Sequence, residues 1–435
     1  MSKQPELTQE QILATFHTYG APRGRWLVGG EFERPVVRPD GRPVFYDDED
    51  GIRWILERLA ERYNWTLHRE GDTPIALFRD KANVTLEPGG QLELSGAPHA
   101  SLKALSDEAY RQRDEIRSII ADRPLTLLAT GLTPFARIED IGWMPKGRYQ
   151  IMQQYLPGEL AHYMMKGTAS VQCNYDYADE ADCARKVRLS AGLAPLTTAM
   201  FANSPMYAGQ LTGYQSYRGY IWTKTDPDRT GFPPGLRDDY SHERWVDYLL
   251  DVPMMFYKSG EVWLPAEGRS FRSFMQAGIA GQRPSVADWD LHMTSVFPEV
   301  RIKRTIEVRG ADCVPLPLAV AFCALFTGLF YDEGALDEGL AIVDDFMKHA
   351  DREARFLAAC QRGLQAEVGG QRLHHWAQSV VTAARKGLTR VDPGAAAMLD
   401  PLEENVRAGR TPADGVIDAW EAAPDPRALI DYLQY

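Results

Sequence analysis

Four short stretches of the chain place acidic or amide side chains two residues apart. They are Glu31-Phe32-Glu33, the segment TLEPGGQLELSG with Glu87 and Glu93, Gln172-Cys173-Asn174, and Glu307-Val308-Arg309. A spacing of two is the period of a β-strand, in which residues i and i+2 point to the same face of a sheet. If the four stretches pair in one sheet, their oxygen atoms line a basin suited to Mg²⁺, the ion that enzymes of nucleotide triphosphates require.

The segment TLEPGGQLELSG is the most informative of the four. The turn Pro88-Gly89-Gly90 between two alternating runs predicts a hairpin. The hairpin brings Glu87 and Glu93 together, where the two charges repel unless a cation or a proton intervenes. Each of the four stretches, taken alone, is also compatible with a solvent-exposed strand.

Two loops carry cations beside aromatic rings. Residues 204–240 are rich in Gly, Pro, Asp and Tyr and include Arg218, Trp222 and Arg229, and the segment MPKGRY supplies Lys146 and Arg148. Such side chains suit an anionic amino acid or nucleotide phosphates, and solvated surface is the alternative for both loops. No GxxxxGK[ST] phosphate loop occurs in the sequence.

The order of elements predicts the fold class. Helices are expected at 8–19 with Thr8 as the N-cap, at about 49–63 and 99–122, and later at 241–250, 286–293, 317–331 and most of 336–420. The strands come in hairpin groups, which favours an α+β fold with an antiparallel sheet. We expect a single catalytic domain over residues 1–435, with a strand-rich core at about 21–312 and a mainly helical region at about 313–435.

Composition narrows the class of protein. The chain has 435 residues and a formal net charge of −12, a poor match for nucleic-acid binding. Its five cysteines form no CxxC pair, which indicates a reducing compartment, and the amino-terminal segment lacks an apolar signal core. We therefore expect a cytoplasmic protein. The apolar run 314–331 is too short for a membrane span and is predicted to be a buried core helix.

The motifs together resemble the glutamine synthetase-like carboxylate–amine ligases, and specifically the plant and proteobacterial branch of the glutamate–cysteine ligases. The resemblance is carried by VTLEPGGQLELSG, MPKGRYQIM, SVQCNYDY, YIWTKTDPDRTG, FPEVRIKRTIEVRGAD and LDPLEENVRAGRTPAD. These segments and Glu31 span nearly the whole chain. The resemblance implies an antiparallel sheet that curves into a funnel, with helices packed outside.

The resemblance also implies a reaction and roles for individual residues. It implies that ATP activates L-glutamate as γ-glutamyl phosphate, which L-cysteine then attacks, in the first step of glutathione biosynthesis. Arg309 and Glu307 are the expected catalytic residues, with Arg309 facing the transferred phosphoryl group. The expected Mg²⁺ ligands are Glu31, Glu33, Glu87, Glu93, Glu307 and Gln172, the last at a position where some relatives carry histidine. The candidates for substrate binding are Arg218, Trp222, Asn174, Lys146 and Arg148, and those for nucleotide binding are Arg309 and Arg229.

Two departures from the family pattern bear on regulation and specificity. The segment 258–285 holds no cysteine, so redox regulation of the plant type is not expected, and Gly219-Tyr220 leaves a changed acceptor pocket open. A ligase for a different amine and a catalytically silent relative are the alternatives. The expected partners are small molecules (glutamate, cysteine and ATP), with neither nucleic acid nor membrane, for a monomer or homodimer.

Overall fold

A single large antiparallel sheet organises the protein. The computed structural model describes residues 7–234, 236 and 239–435. In this part of the chain the sheet has eight strands: β1 (Val28–Arg34), β2 (Thr66–Glu70), β3 (Thr73–Arg79), β4 (Ala82–Leu86), β5 (Leu92–Ser95), β6 (Ser170–Tyr175), β7 (Val300–Ile302) and β8 (Ile306–Asp312). Their spatial order is β7-β8-β6-β1-β5-β4-β3-β2, and every neighbouring pair is antiparallel. The predicted α+β class with an antiparallel sheet is confirmed.

Helices surround the sheet and make up most of the chain after β8. They are α1 (Gln9–His17), α2 (Ile52–Tyr63), α3 (Leu102–Ile120), α4 (Gly147–Tyr155), α5 (Ala161–Gly167), α6 (Glu180–Met200), α7 (Tyr217–Trp222), α8 (His242–Asp251), α9 (Phe271–Ala277), α10 (Val286–Met293), α11 (Leu316–Tyr331), α12 (Glu333–Phe346), α13 (Arg352–Arg362), α14 (Leu373–Val391), α15 (Asp400–Ala408), α16 (Pro412–Ala422) and α17 (Pro426–Tyr432). Short paired strands complete the described chain: Val36–Val37 with Thr126–Leu127, Met206–Tyr207 with Gln210–Leu211, Thr230–Gly231 with Phe297–Pro298, Phe256–Ser259 with Val262–Pro265, and Glu367–Val368 with Gln371–Arg372.

The two faces of the sheet differ in polarity, as the period of two predicts. Phe32, Val84, Leu94, Val171 and Val308 are at most 2% exposed on one face. This face packs against α3 and α11, and the hydroxyl of Tyr175 donates to the carbonyl of Cys323 in α11 at 3.0 Å. Burying this apolar face leaves the glutamates of the same strands on the opposite side.

Two predicted helices illustrate how well local signals define the elements. Thr8 caps α1 with a capping box that includes Gln11. The apolar run 314–331 forms α11, which is buried along nearly its whole length. Among the described residues no single helix is long and apolar enough to cross a membrane, although α11 and the following helical segment pass that test as a pair bent by 101°.

The turn between β4 and β5 depends on Gly89. A Cβ atom at this position would lie 2.0 Å from the carbonyl oxygen of Lys166, so the turn would have to move. We expect Gly89→Ala to destabilise the protein by about 1–3 kcal/mol, the usual cost of overpacking. Gly24→Ala is the matched control, since nothing lies within 4 Å of its Cβ position. Thermal unfolding of both variants tests this expectation, and equal melting temperatures would contradict it.

Candidate active site

Carboxylates from three strands meet on the polar face of the sheet. Glu33 of β1 lies opposite Glu93 of β5, and Glu31 lies opposite Gln172 of β6. Glu87, which follows β4, completes the group, and all five side chains line a cavity of about 250 Å³. The structure thus brings together residues that are up to 141 positions apart in the sequence (172 − 31).

Neighbouring amides and hydroxyls orient these carboxylates. The amide of Gln172 donates to Glu33 Oε1 at 2.8 Å, and the backbone N–H of Ser170 donates to Glu33 Oε2 at 2.7 Å. Asn174 donates to Glu31 Oε1 at 2.8 Å. The Thr85 hydroxyl donates to Glu93 Oε2 at 2.5 Å. The donors fix the acids in a precise arrangement before any ligand arrives.

The carboxylates hold more negative charge than their protein neighbours balance. Burial, with repulsion from Glu307 and then Glu93, raises the pKa of Glu31 to about 7. Burial, with repulsion from Glu87 and Glu93, raises the pKa of Glu33 to about 8. Burial and the charge of Glu87 also raise the pKa of Glu93. The group therefore favours the binding of protons or a cation.

Glu307 has a different environment from the other acids. It is completely buried, and Arg301 donates to its two oxygens at 2.5 and 2.9 Å. Lys303 lies 3.7 Å away and Arg309 3.3 Å away. Burial alone would raise the pKa of Glu307, but attraction to these three cations outweighs it and holds the pKa well below the ordinary range. Glu307 does not line the cavity, and it holds three cations that do, so its expected role as a metal ligand is not carried forward.

A bulge in β8 directs Arg309 toward the acids. The register against β6 shifts between Val308 and Ala311, and the guanidinium of Arg309 donates to Gln172 Oε1 and to Glu307 Oε1. β-Bulges commonly redirect a side chain next to an active site. Gln172 therefore bridges Glu33 and Arg309, so its carbonyl oxygen is occupied by a guanidinium and the expected role as a metal ligand is not carried forward.

Four other candidates lie outside the cavity. Lys146 donates to the carbonyl of Leu86 at 2.8 Å and is 6% exposed, and burial lowers its pKa to about 8. Asn174 orients Glu31, as described above, and borders a separate depression at the end of the sheet. Both side chains therefore contact residues next to the cavity without lining it.

The other two are arginines with structural partners. Arg218 lies 3.7 Å from Asp312 and donates to the carbonyl of Arg309 at 3.2 Å, so it supports the bulge. Arg229 is 0% exposed and is bound by Asp226 at 2.5 Å and by the carbonyls of Pro253 and Ser295. Neither guanidinium lines the cavity, so the expected substrate binding by Arg218 and nucleotide binding by Arg229 are not carried forward.

Arg148 and Trp222 do face the cavity, and each presents an unpaired polar atom. Among the described residues, the buried Arg148 Nε and the buried Trp222 Nε1 have no hydrogen-bond partner. Buried donors are almost always paired, so orphaned donors in a cavity wall indicate a place for an acceptor on a ligand. Both residues remain candidates for binding an anionic substrate.

Several cavity residues were not identified from the sequence. They are Ser95, Tyr149, Met152, Met164, Met165, Met255, Phe256, Arg301 and Lys303, among others. Met152, Met164 and Met165 lie on short helices, where apolar side chains usually indicate core packing. Arg301 and Lys303 share the RIKRTIEVRGAD stretch with Glu307, and their alternation with Ile302 is the signal that could have identified them.

A second cavity of about 390 Å³ adjoins the first across Trp222. Tyr220, Phe232 and Phe356 give it an aromatic lining, together with Glu299, whose pKa burial raises to about 7 against attraction from Arg218 and Arg309. Gly219, in contrast, packs against α13, where a Cβ would lie 2.7 Å from Cys360 Sγ. Of the two residues that depart from the family pattern, Gly219 therefore affects core packing and Tyr220 affects the wall of the second cavity.

Known proteins share both the sequence and the fold. The sequence model of the family described as "Glutamate-cysteine ligase family 2 (GCS2)" matches residues 27–429. A chloroplastic glutamate–cysteine ligase of Brassica juncea is 38% identical over 97% of this chain and 83% of its own length, and one of Arabidopsis thaliana is 38% identical over 97% and 82%. A crystal structure of a glutamate–cysteine ligase from Francisella tularensis in complex with AMP aligns with a TM-score of 0.55 at 12% identity, covering 94% of this chain and 87% of the other.

The relatives correct the expected location. They are named as chloroplastic, which contradicts the cytoplasmic location expected from composition. Unpaired cysteines indicate only a reducing compartment and do not distinguish one such compartment from another.

Proposed function

Because the chain belongs to the glutamate-cysteine ligase family 2, we propose that it joins the γ-carboxyl group of L-glutamate to the amine of L-cysteine at the expense of ATP. Family membership confirms the ligase predicted from the sequence. The observation that carries the proposal is the cavity itself, in which oriented carboxylates on β1 and β5 face the cations of β7 and β8. Such a surface can hold both a nucleotide with its cations and an anionic amino acid.

We propose that Glu31, Glu33, Glu87 and Glu93 hold Mg²⁺. The donor set fits a hard divalent ion, because it consists of carboxylate oxygens without thiolate or imidazole. The raised pKa values of Glu31 and Glu33 support the same assignment, since burial and repulsion between the acids disfavour the charged carboxylates unless a cation is bound. Mg²⁺ bound here would neutralise phosphate charge.

The proposed reaction has two steps. The γ-carboxylate of glutamate attacks the terminal phosphorus of ATP, and ADP leaves. The amine of cysteine then attacks the carbonyl carbon of γ-glutamyl phosphate, the C–O bond to phosphate breaks, and the amide forms as the nitrogen loses a proton. Arg309 and Arg301 stabilise the charge of the transferred phosphoryl group, and Glu307 keeps both guanidiniums in place. Arg148 and Trp222 supply donors to the anionic groups of the substrates.

Nucleotide binding has support from a distant relative. The Francisella tularensis enzyme was solved with AMP, and its fold covers 94% of this chain. We propose that ATP occupies the cavity above the sheet, with its phosphates toward the carboxylates and cations. We also propose that the chain acts as a monomer or homodimer, which sedimentation can test.

An assay with a panel of amines tests the proposed function. We expect ATP, Mg²⁺ and glutamate to give ADP and a γ-glutamyl product, with cysteine the preferred amine. Release of ADP and formation of the amide are measured together, so that ATP hydrolysis without ligation is recognised. Preference for another amine would favour the related ligase instead, a result that the altered wall residue Tyr220 would help to explain. Absence of turnover with every amine would contradict both.

A further inference from the structure

Three side chains outside the active site converge where three helices meet. His17 is the last residue of α1, Glu180 is the first of α6, and His242 is the first of α8. One ligand atom from each lies within 4.8 Å of those of the other two. The three residues lie 62 to 225 positions apart in sequence, and none lines the active-site cavity. The proposed ligase reaction gives them no role.

The side chains are already oriented for a shared ligand. The Tyr240 hydroxyl is hydrogen-bonded to Nδ1 of His242 at 2.9 Å, which leaves Nε2 as the available nitrogen of a ring that is 1% exposed. The backbone N–H of His242 donates to Glu180 Oε1 at 2.7 Å, which places Glu180 Oε2 3.7 Å from His17 Nδ1. An outer hydrogen bond that fixes a histidine ring is a recurrent feature of metal sites.

We propose that His17, Glu180 and His242 bind a transition-metal ion of the Zn²⁺ type. Two imidazole nitrogens and one carboxylate oxygen are a common ligand set for Zn²⁺, with a water molecule in the fourth position. Tetrahedral bonds of about 2.1 Å hold ligand atoms about 3.4 Å apart, so atoms that lie up to 4.8 Å apart need to close by at most about 1.4 Å. The His17 side chain is 51% exposed, which gives an ion access from solvent.

The metal ties the amino-terminal helix α1 to α6 and α8. Helix α8 in turn contacts the catalytic sheet, because the indole of Trp245 donates to the carbonyl of Ile302 in β7 at 2.9 Å. The site stabilises the packing of the three helices and touches no substrate of the proposed ligase reaction. Its partner Tyr240 is a positioning residue.

Binding of Zn²⁺ to the full chain tests the proposal. Zn²⁺ is titrated against a chromophoric chelator in excess Mg²⁺, with wild type, His17→Ala, Glu180→Gln and the exposed-histidine control His375→Ala. We expect wild type and the control to bind one more Zn²⁺ than His17→Ala, and Glu180→Gln to bind that ion at least tenfold more weakly. We also expect Zn²⁺ to raise the melting temperature of wild type more than that of His17→Ala, while ligase turnover of His17→Ala in Mg²⁺ stays unchanged.

Two further readouts separate this site from adventitious binding. Co²⁺ at a four-coordinate site with imidazole ligands gives strong visible absorption, whereas Co²⁺ among the active-site carboxylates gives weak absorption typical of six-coordinate oxygen sites. The strong bands should be absent in His17→Ala. Equal Zn²⁺ stoichiometry and affinity in wild type and His17→Ala, or identical Co²⁺ spectra, would overturn the proposal. Neither result depends on the ligase assay, so the two proposals can fail separately.

Discussion

Replacing Arg309 by alanine should lower kcat/KM for γ-glutamylcysteine formation by about 10³-fold, the loss typical of an arginine that stabilises a transferred phosphoryl group. Arg309 donates to both Gln172 and Glu307, and its side chain projects from a bulge into the cavity. Lysine at this position keeps the charge but loses the planar fork of donors, so Arg309→Lys should recover only part of the rate.

The matched control lies in the connection just before β8. Arg304 is exposed, lies over the ring of Tyr19, attracts Asp290 and is not part of the cavity wall, so Arg304→Ala should retain wild-type kinetics. Steady-state kinetics, together with circular dichroism and thermal unfolding, separate loss of catalysis from loss of fold. If Arg309→Ala kept even a tenth of the wild-type kcat/KM with a normal melting temperature, Arg309 would not stabilise the phosphoryl group.

The face of each catalytic strand could be predicted because alternation is a strictly local property. Glu31 and Glu33 alternate with Phe32 and Arg34, and burial of the second pair leaves the acids on the cavity side. Helix α11 was found for a similar reason, since a continuous apolar run between a proline and an aspartate allows few other structures. Helix α6 was missed because it is buried on nearly all sides and contains Pro195, so it shows no amphipathic stripe.

The roles of individual site residues depend on contacts that no local pattern encodes. The sequence shows that Glu307 is two residues from Arg309. It does not show that Arg301 approaches from the neighbouring strand, and this contact makes Glu307 an anchor for cations instead of a metal ligand. Arg229 shows the same limit. Its charged sequence neighbours resemble those of a phosphate site, but in the structure Asp226 and two carbonyl groups already bind its guanidinium. Pairing across strands, and not composition, decides which charge remains free for a ligand.

Replacing Glu33 by glutamine should raise the Mg²⁺ concentration needed for half-maximal activity by at least about 100-fold, because the loss of a direct ligand exceeds the 10- to 100-fold effect of an outer partner. In wild type this concentration should also fall as the pH rises through about 7 to 8, where Glu31 and Glu33 lose the protons that compete with Mg²⁺. Activity measured against Mg²⁺ at several pH values tests both effects. An unchanged Mg²⁺ requirement in Glu33→Gln would remove this residue from the proposed metal site.

The same substitution should stabilise the fold when Mg²⁺ is absent. The pKa of Glu33 is about 8 in the folded protein against an ordinary value of 4.5, so between these values the folded state binds more protons than the unfolded state. Stability from this group is therefore complete below about pH 4.5 and is lost as the pH rises through 8. With EDTA at pH 8.5, Glu33→Gln should melt several degrees above wild type, whereas at pH 5 the difference should nearly vanish.

Mg²⁺ should reverse the order of the two melting temperatures at pH 8.5, because it stabilises the wild-type carboxylates and binds the Glu33→Gln variant poorly. The exposed residue Glu49 provides the control, and Glu49→Gln should follow wild type under all three conditions. A Glu33→Gln variant that melts below wild type in EDTA at pH 8.5 would show that the acids are held by the protein alone. If Glu33→Gln instead gains stability while it loses activity, the charge of the carboxylate cluster is balanced only when its cation is bound.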